Sequence, residues 1–331
     1  MDAEESDYTD DDDQFSIDFN ESQTIDDDKN LSVSKNYPFI EEFEINLIEK
    51  TERLQIRKIL GSGSFGSVYL ASCLSNYKNV AVKIELLGRN CEIFREHYCY
   101  KVLQGVKGIP KVYWSGCIGL SRVLIIDLLG PSLCDLHTKC NRRFSLKTTL
   151  MLIDQLLETI ESVHDCLIIH RDIKPSNCVM GLNQNRSKLY IIDFGIAIDC
   201  HESAYEQMNG QNSFCGTLQF SSRNALQCKP QSQRDDLESI GYTMLYLMNQ
   251  TLPWSDYSDI ETILDSKLNT SVEEMCCGLP NEFSQYFNYC YLLNFLEKPN
   301  YTYLKSIFRG LFRAHGYQSD YIYDWTRKIY S

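Results

Sequence analysis

The chain has 331 residues, 43% of them hydrophobic, and a formal net charge of −13, a size that can bury a two-lobed core. No run of eighteen apolar residues offers a membrane span, and the acidic N-terminus is unlike a secretory leader, so no membrane partner is expected. Fourteen cysteines without C-x-x-C pairs or His clusters argue against a disulfide framework or a zinc site, and suggest reduced, buried thiols in an intracellular protein.

Charge is concentrated at the start. Residues 1–36 hold thirteen Asp/Glu against two Lys, a net of −11, so residues 37–331 are only −2. Asp10 to Asp13 and Asp26 to Asp28 lie here, with too few apolar side chains to offset ordering entropy. The segment reads as a disordered acidic tail that keeps the chain soluble, docks an unknown partner or acts as an autoregulatory arm. The folded domain is expected to start near Tyr37-Pro38-Phe39 and run to Ser331.

A small β-rich lobe with five strands and one helix (about 89–103) is expected over residues 54–127. Gly61-Ser62-Gly63-Ser64-Phe65-Gly66-Ser67-Val68 matches G-x-G-x-x-G-x-V, whose glycines let a backbone close over phosphates. Dinucleotide-binding folds use the same glycines to open a helix. Here Val68 to Ala71 reads as a strand, Ser75-Asn76 as a turn, and Asn79 to Ile84 as a second strand. That hairpin favours the phosphate clamp of a kinase. Lys83 sits in the apolar strand Val80-Ala81-Val82-Lys83 and needs a partner if buried. Glu92 and Glu96, one helical turn apart, are both candidates. Asp127-Leu128-Leu129-Gly130 reads as a hinge. The backbone of Asp127 and Leu129 would pair with adenine, with Ile126 guarding the back pocket.

The segment after 130 reads as mainly helical. Leu146, Leu150, Ile153, Leu157 and Ile160 repeat at helical spacing and read as core. His170-Arg171-Asp172-Ile173-Lys174-Pro175-Ser176-Asn177 then reads H-R-D-x-K-x-x-N, the catalytic loop of a serine/threonine protein kinase. Asp172 would take the acceptor proton, Lys174 would neutralise the transferring phosphoryl group, and Asn177 would hold magnesium. His170 is expected to be a packing residue. Sixteen residues after Asn177, the apolar run Leu189 to Ile192 leads into Asp193-Phe194-Gly195, whose carboxylate would be a second metal ligand beside Asn177. Residues 234–249 read as a central buried helix, with Asp236 bonding the catalytic-loop backbone. The Tyr- and Phe-rich stretch at 283–308 reads as a core helix pair.

At this point the chain resembles the casein kinase 1 family of protein kinases, over nearly all of residues 50–328. The likeness rests on Leu128-Leu129-Gly130-Pro131-Ser132-Leu133, on Phe214-Cys215-Gly216-Thr217 followed by Phe220-Ser221-Ser222-Arg223-Asn224 in place of A-P-E, on Arg234 to Tyr242, on Leu252-Pro253-Trp254 and on Asp324-Trp325-Thr326. The resemblance implies an α+β, two-lobed kinase fold, with an N-lobe at about 50–127, a hinge at about 127–131 and a C-lobe at about 132–331. It implies a cytoplasmic monomer, with the nucleus as an alternative location, that uses ATP and Mg2+ and is active without activation-loop phosphorylation. Its partners would be proteins bearing Ser/Thr, with no direct nucleic-acid contact. The spacing from Glu96 to Gln104-Gly105 matches the family's helix glutamate and favours Glu96 over Glu92. The nucleotide site it implies comprises Leu60, Gly61, Ser62, Gly63, Gly66, Val68, Ala81, Lys83, Ile126, Asp127, Leu129 and Asp193, with Asn177 and Asp193 as metal ligands.

The departures concern the acceptor side. Family members favour acidic or pre-phosphorylated substrates, using an arginine after the Gly-Thr and a basic stretch after the Trp. This chain has Gln219 at the first position, then Ser255-Asp256, Asp259 and Glu261. Asp199, His201, Glu202 and Glu206 stand in the segment after Gly195, without Lys or Arg. An acidic wall repels a phosphate. The preference for primed substrates is therefore expected to be weakened, with Arg223 as a compensating cation. A nucleotide-binding scaffold without catalysis and a kinase of small-molecule hydroxyls are the alternatives.

Overall fold

The computed structural model describes residues 42–46, 51–63, 66–86, 92–203 and 213–327. The acidic tail, the expected domain start at Tyr37, the loop tip Ser64-Phe65 and Glu206 lie outside the described residues.

Six antiparallel strands build the N-terminal lobe: β1 (Glu42–Asn46), β2 (Thr51–Gly63), β3 (Gly66–Cys73), β4 (Asn79–Leu86), β5 (Val112–Ile118) and β6 (Ser121–Asp127), in the order β1-β2-β3-β4-β6-β5. Alternation along β4 decides what each face does. Val80, Val82 and Ile84 bury themselves with Leu54, Ala71, Val123 and Ile125 in a separate small core. The intervening residues Ala81 and Lys83 face the other way. They pair across the sheet with Ile126 and Leu124, and Lys83 also pairs with Val68. Val68, Ala81, Lys83 and Ile126 thus share one face. Each fully buried aliphatic on the core side is worth roughly 1.5–3 kcal/mol, which pins the register. The sheet was expected to have five strands from about residue 50; β1 adds a sixth upstream, paired along all of Glu42 to Asn46. Phe43 and Ile45 alternate with Glu42, Glu44 and Asn46, a period-two pattern too short to stand out by itself.

The helix α1 (Glu92–Val102) carries buried Ile93, Glu96, Cys99 and Tyr100. Beyond the hinge come α2 (Leu133–Lys139), α3 (Leu146–Asp165), the short strands β7 (Ile168–Ile169), β8 (Cys178–Met180), β9 (Leu189–Ile191) and β10 (Ile198–Asp199), and the helices α4 (Arg223–Leu226), α5 (Gln233–Asn249), α6 (Ile260–Asn269), α7 (Val272–Met275), α8 (Asn281–Leu292), α9 (Tyr301–Ala314) and α10 (Asp324–Arg327). α3 buries Leu150, Ile153, Leu157 and Ile160, and α5 is buried on nearly every side, as their patterns predict. α8 and α9 meet through Phe283 and Phe308, with ring centroids 5.3 Å apart. The described residues thus form a sheet-rich N-lobe and a helical C-lobe. The thiols are less uniformly buried than expected: Cys117, Cys228 and Cys277 are exposed. No helix among the described residues is long and apolar enough to cross a membrane.

Candidate active site

Lys83 reaches from β4 to two carboxylates. Its Nζ donates to Glu96 Oε2 at 2.7 Å and to Asp193 Oδ1 at 2.8 Å. Burial alone would lower the lysine pKa, but the two carboxylates more than reverse this and hold it above the ordinary lysine range. Glu96 is therefore the helix partner, as the spacing to Gln104-Gly105 suggests. Glu92, one turn earlier, is also buried, but its Oε2 has no hydrogen-bond partner among the described residues. Burial pushes the Glu92 carboxyl up to about 7, with Lys83 opposing and Glu85, Asp193 and Glu96 adding.

The catalytic loop hangs from α5. Asp236 accepts from the His170 amide at 2.7 Å, the Arg171 amide at 2.9 Å and His164 Nε2 at 2.8 Å. Burial would raise this carboxyl, yet the His164 hydrogen bond and the backbone donors hold it below the usual carboxylate range. Arg171 takes a left-handed φ of +67°, a conformation that costs a non-glycine residue about 1 kcal/mol or more. The paired amides and the Arg171 Nε bond to Ile196 O at 2.7 Å keep it there. His170 is fully buried. Its Nε2 faces the Ile192 carbonyl at 3.0 Å and so carries the proton, and its Nδ1 accepts from the Asp172 amide at 3.2 Å. The ring also packs edge-on against Phe194, with centroids 4.6 Å apart. His170 is thus the packing residue its neighbours predicted.

Three donors converge on the Asp172 carboxylate. Lys174 Nζ and Asn177 Nδ2 donate to Oδ2 at 2.7 and 3.1 Å, and Thr217 Oγ1 donates to Oδ1 at 2.7 Å. Lys174 also donates to Thr217 Oγ1 at 2.7 Å. Asp172, Lys174 and Thr217 close a triangle across 45 residues of sequence. Asp193 has φ +69°, and its amide donates to the Tyr100 hydroxyl at 3.2 Å. Thr217, Tyr100, His164 and Lys267 were not singled out from the sequence. Gly216-Thr217 was noted only as a family feature; the buried His164 and Lys267 carry no local motif.

The donor set fits a nucleotide and a hard divalent cation. Asn177 uses its amide nitrogen on Asp172, and no hydrogen bond among the described residues uses its oxygen. Asp193 meets Lys83 through Oδ1 only. Two free oxygens suit Mg2+. A Cβ on Gly61 would meet nothing within 4 Å, so the open side of the glycine strand keeps room for phosphates. A Cβ on Gly66 would lie 2.4 Å from Ile84 O, at φ +123°, so glycine there is required by the hairpin itself. Leu60 is exposed beside this loop, and Ala81 is buried at the cleft face. At the hinge, the Asp127 amide donates to Lys111 O at 3.0 Å, so of its backbone only the carbonyl is left for the expected pairing with adenine. No hydrogen bond among the described residues uses the Leu129 amide. Asp127's side chain is held by the Tyr113 hydroxyl and the Lys111 amide.

On the acceptor side, Gln219 turns its amide to Tyr257 O at 2.9 Å. Asp256, Asp259 and Glu261 are exposed beyond it. Asp259 also caps α6, accepting from the Thr262 amide at 2.8 Å. Arg223 is not the spare cation expected: its Nε lies 3.3 Å from Glu238 Oε1, and its guanidinium stacks 3.2 Å over the Tyr291 ring. Glu202 and Arg95 lie 3.6 Å apart, linking α1 to the segment after Gly195.

The family model for the protein kinase domain matches residues 54–290, a span that contains every residue of this cluster, and the chain accordingly belongs to the protein kinase family.

Proposed function

We propose that this chain is an active serine/threonine kinase of casein kinase 1 type, transferring the γ-phosphate of ATP to hydroxyls of protein substrates. The observation that carries this reading is the triangle of Asp172, Lys174 and Thr217. A carboxylate that receives three donors at its two oxygens is held as an acceptor, oriented for the proton of an incoming alcohol. Lys174 brings a positive charge to the same point, where it offsets negative charge gathering on the transferred group. Bound Mg-ATP supplies the electrophilic phosphoryl group and a divalent charge, and Asn177, Asp193 and Lys83 are the residues that would hold it. The Val68, Ala81 and Ile126 face and the Leu129 amide would hold the base.

The second part of the proposal is that selection for primed or acidic substrates is weakened. Gln219 is neutral and tied to Tyr257, Arg223 is committed to Glu238, and Asp256 and Glu261 present negative charge nearby. Transfer from labelled Mg-ATP to two matched Ser/Thr peptide sets, one acidic or primed and one basic, tests both parts. Wild type should phosphorylate the basic set at least as well as the primed set, and Asp172→Asn should lose most transfer. Strong selection for an upstream phosphoserine would sink the specificity reading. Nucleotide binding without any transfer would sink the catalytic one.

A further inference from the structure

Lys267 lies on α6 and is 2% exposed, yet it pairs with no carboxylate among the described residues. A buried ammonium needs other partners. Lys267 Nζ donates to the carbonyls of Ser221 at 2.6 Å, Leu218 at 3.2 Å and Gln219 at 3.2 Å. It also sits over the rings of Tyr242 at 4.4 Å and Trp254 at 4.7 Å, contacts that favour a cation. Three carbonyls match the three protons of an ammonium.

These carbonyls belong to the loop that follows Thr217. The amides of Phe220 and Ser221 and the Ser221 hydroxyl all return to Thr217 O at 2.9 Å. Gly216, at φ +117°, leaves no room for a Cβ, which would lie 2.9 Å from both Arg171 O and Ser221 Oγ. A continuous set of contacts therefore runs from Lys267 through Ser221 to Thr217 and on to Asp172.

We propose that Lys267 is a positioning residue for the acceptor side of the cleft: it draws the carbonyls of 218–221 inward and thereby sets Thr217 against Asp172. This rests on the kinase reading above. Burial pushes Lys267 down to about 7; Glu238 opposes and Arg223 adds to that shift. These two, with the Tyr242 phenol, are the charged or titratable groups facing it from the packed elements. The charge and one of the three N–H donors that it offers the loop are therefore lost as the pH rises past neutrality.

The test combines amide hydrogen exchange with steady-state kinetics on the full chain, comparing Lys267→Met and Lys267→Arg with wild type. Lys267→Met should speed exchange over 217–222 by roughly tenfold or more while α3 and β4 stay protected. It should raise the peptide KM by roughly tenfold with little change in the Mg-ATP KM. Lys267→Arg, which keeps charge and donors, should recover most of both. Wild-type peptide KM should climb between about pH 7 and about pH 8.5, and a flat profile would overturn the proposal. So would unchanged loop exchange, or an increase spread evenly over the C-lobe with a lower Tm, which would make Lys267 a core residue only. If Lys267→Met does not fold, Lys267→Arg and the wild-type pH profile decide. If wild type phosphorylates no acceptor, the kinase reading falls, and loop exchange alone still decides the role of Lys267.

Discussion

Thr217 donates its hydroxyl to Asp172 Oδ1 at 2.7 Å while accepting from Lys174. A side chain from beyond Asp193-Phe194-Gly195 thus fixes the orientation of the Asp172 carboxylate. Thr217→Val keeps the shape and removes the hydroxyl, so Lys174 loses one acceptor and Asp172 one donor. We expect kcat to fall roughly 10- to 100-fold, with the Mg-ATP KM within about twofold of wild type. Thr217→Ser should retain most activity. Equal losses in both variants in a steady-state assay would show that the methyl group, not the hydroxyl, matters.

Among the described residues, Lys83 is the only cation that Glu96 and Asp193 share. Lys83→Met would leave two carboxylates facing one another in a largely buried site. Breaking a buried pair from one side costs on the order of 3 kcal/mol. We therefore expect a fall of several degrees in Tm, measured by calorimetry, besides loss of transfer. Glu96→Gln should cost less stability, because Lys83 keeps Asp193.

Glu92 gives a pH prediction of defined sign. Its carboxyl is raised to about 7 in the folded chain, chiefly by burial, against about 4.3 in an unfolded one. Its contribution to stability is fully present below the unfolded value and is lost as pH rises through about 7. Glu92→Gln mimics the protonated form. Its Tm should match wild type near about pH 4.5 and exceed it near about pH 8, by an amount corresponding to roughly 2 kcal/mol. Equal Tm differences at both pH values would mean that Glu92 does not titrate between them.

Asp236 differs in sign. Its folded carboxyl is depressed, so the stability it adds is present above the unfolded value of about 3.9 and is lost as pH falls through the folded one. Asp236→Asn retains one acceptor oxygen for two loop amides and His164. We expect a loss of about 3 kcal/mol at neutral pH, shrinking at low pH, together with weaker transfer as Arg171 relaxes from its left-handed conformation. Denaturant melts at two pH values measure it.

Residues in a contiguous motif, such as Asp172, Lys174 and Asn177, were legible because one loop carries both their identity and their geometry. Lys83 was legible from its strand, and its partner Glu96 only through the family spacing to Gln104-Gly105. Glu92 and Glu96 share a helical face, so helical periodicity alone does not choose between them. Thr217, His164 and Lys267 were hidden because they act across 43 to 72 residues of sequence. A lone buried His or Lys has no periodic signature. β1 escaped notice because its period-two alternation spans only five residues. Arg223 looked like a free cation because Glu238 and Tyr291 come to it from α5 and α8.

The acidic rim beside Gln219 makes the last prediction. Asp259 should be left in place, since it caps α6, and a capping loss of about 1 kcal/mol would confuse the result. Asp256→Lys with Glu261→Lys changes the local charge by four units on exposed side chains. Primed or acidic peptides should then gain roughly three- to tenfold in kcat/KM and basic peptides should lose. Exposed charges are screened over about 8 Å at physiological salt, so the gain should shrink by most of its size when the assay is repeated at about 0.5 M salt. A gain that persists at high salt would mean a direct contact to the phosphate. No gain at either salt would place the acceptor's flanking residues away from this rim and leave the preference to other residues of the acceptor side.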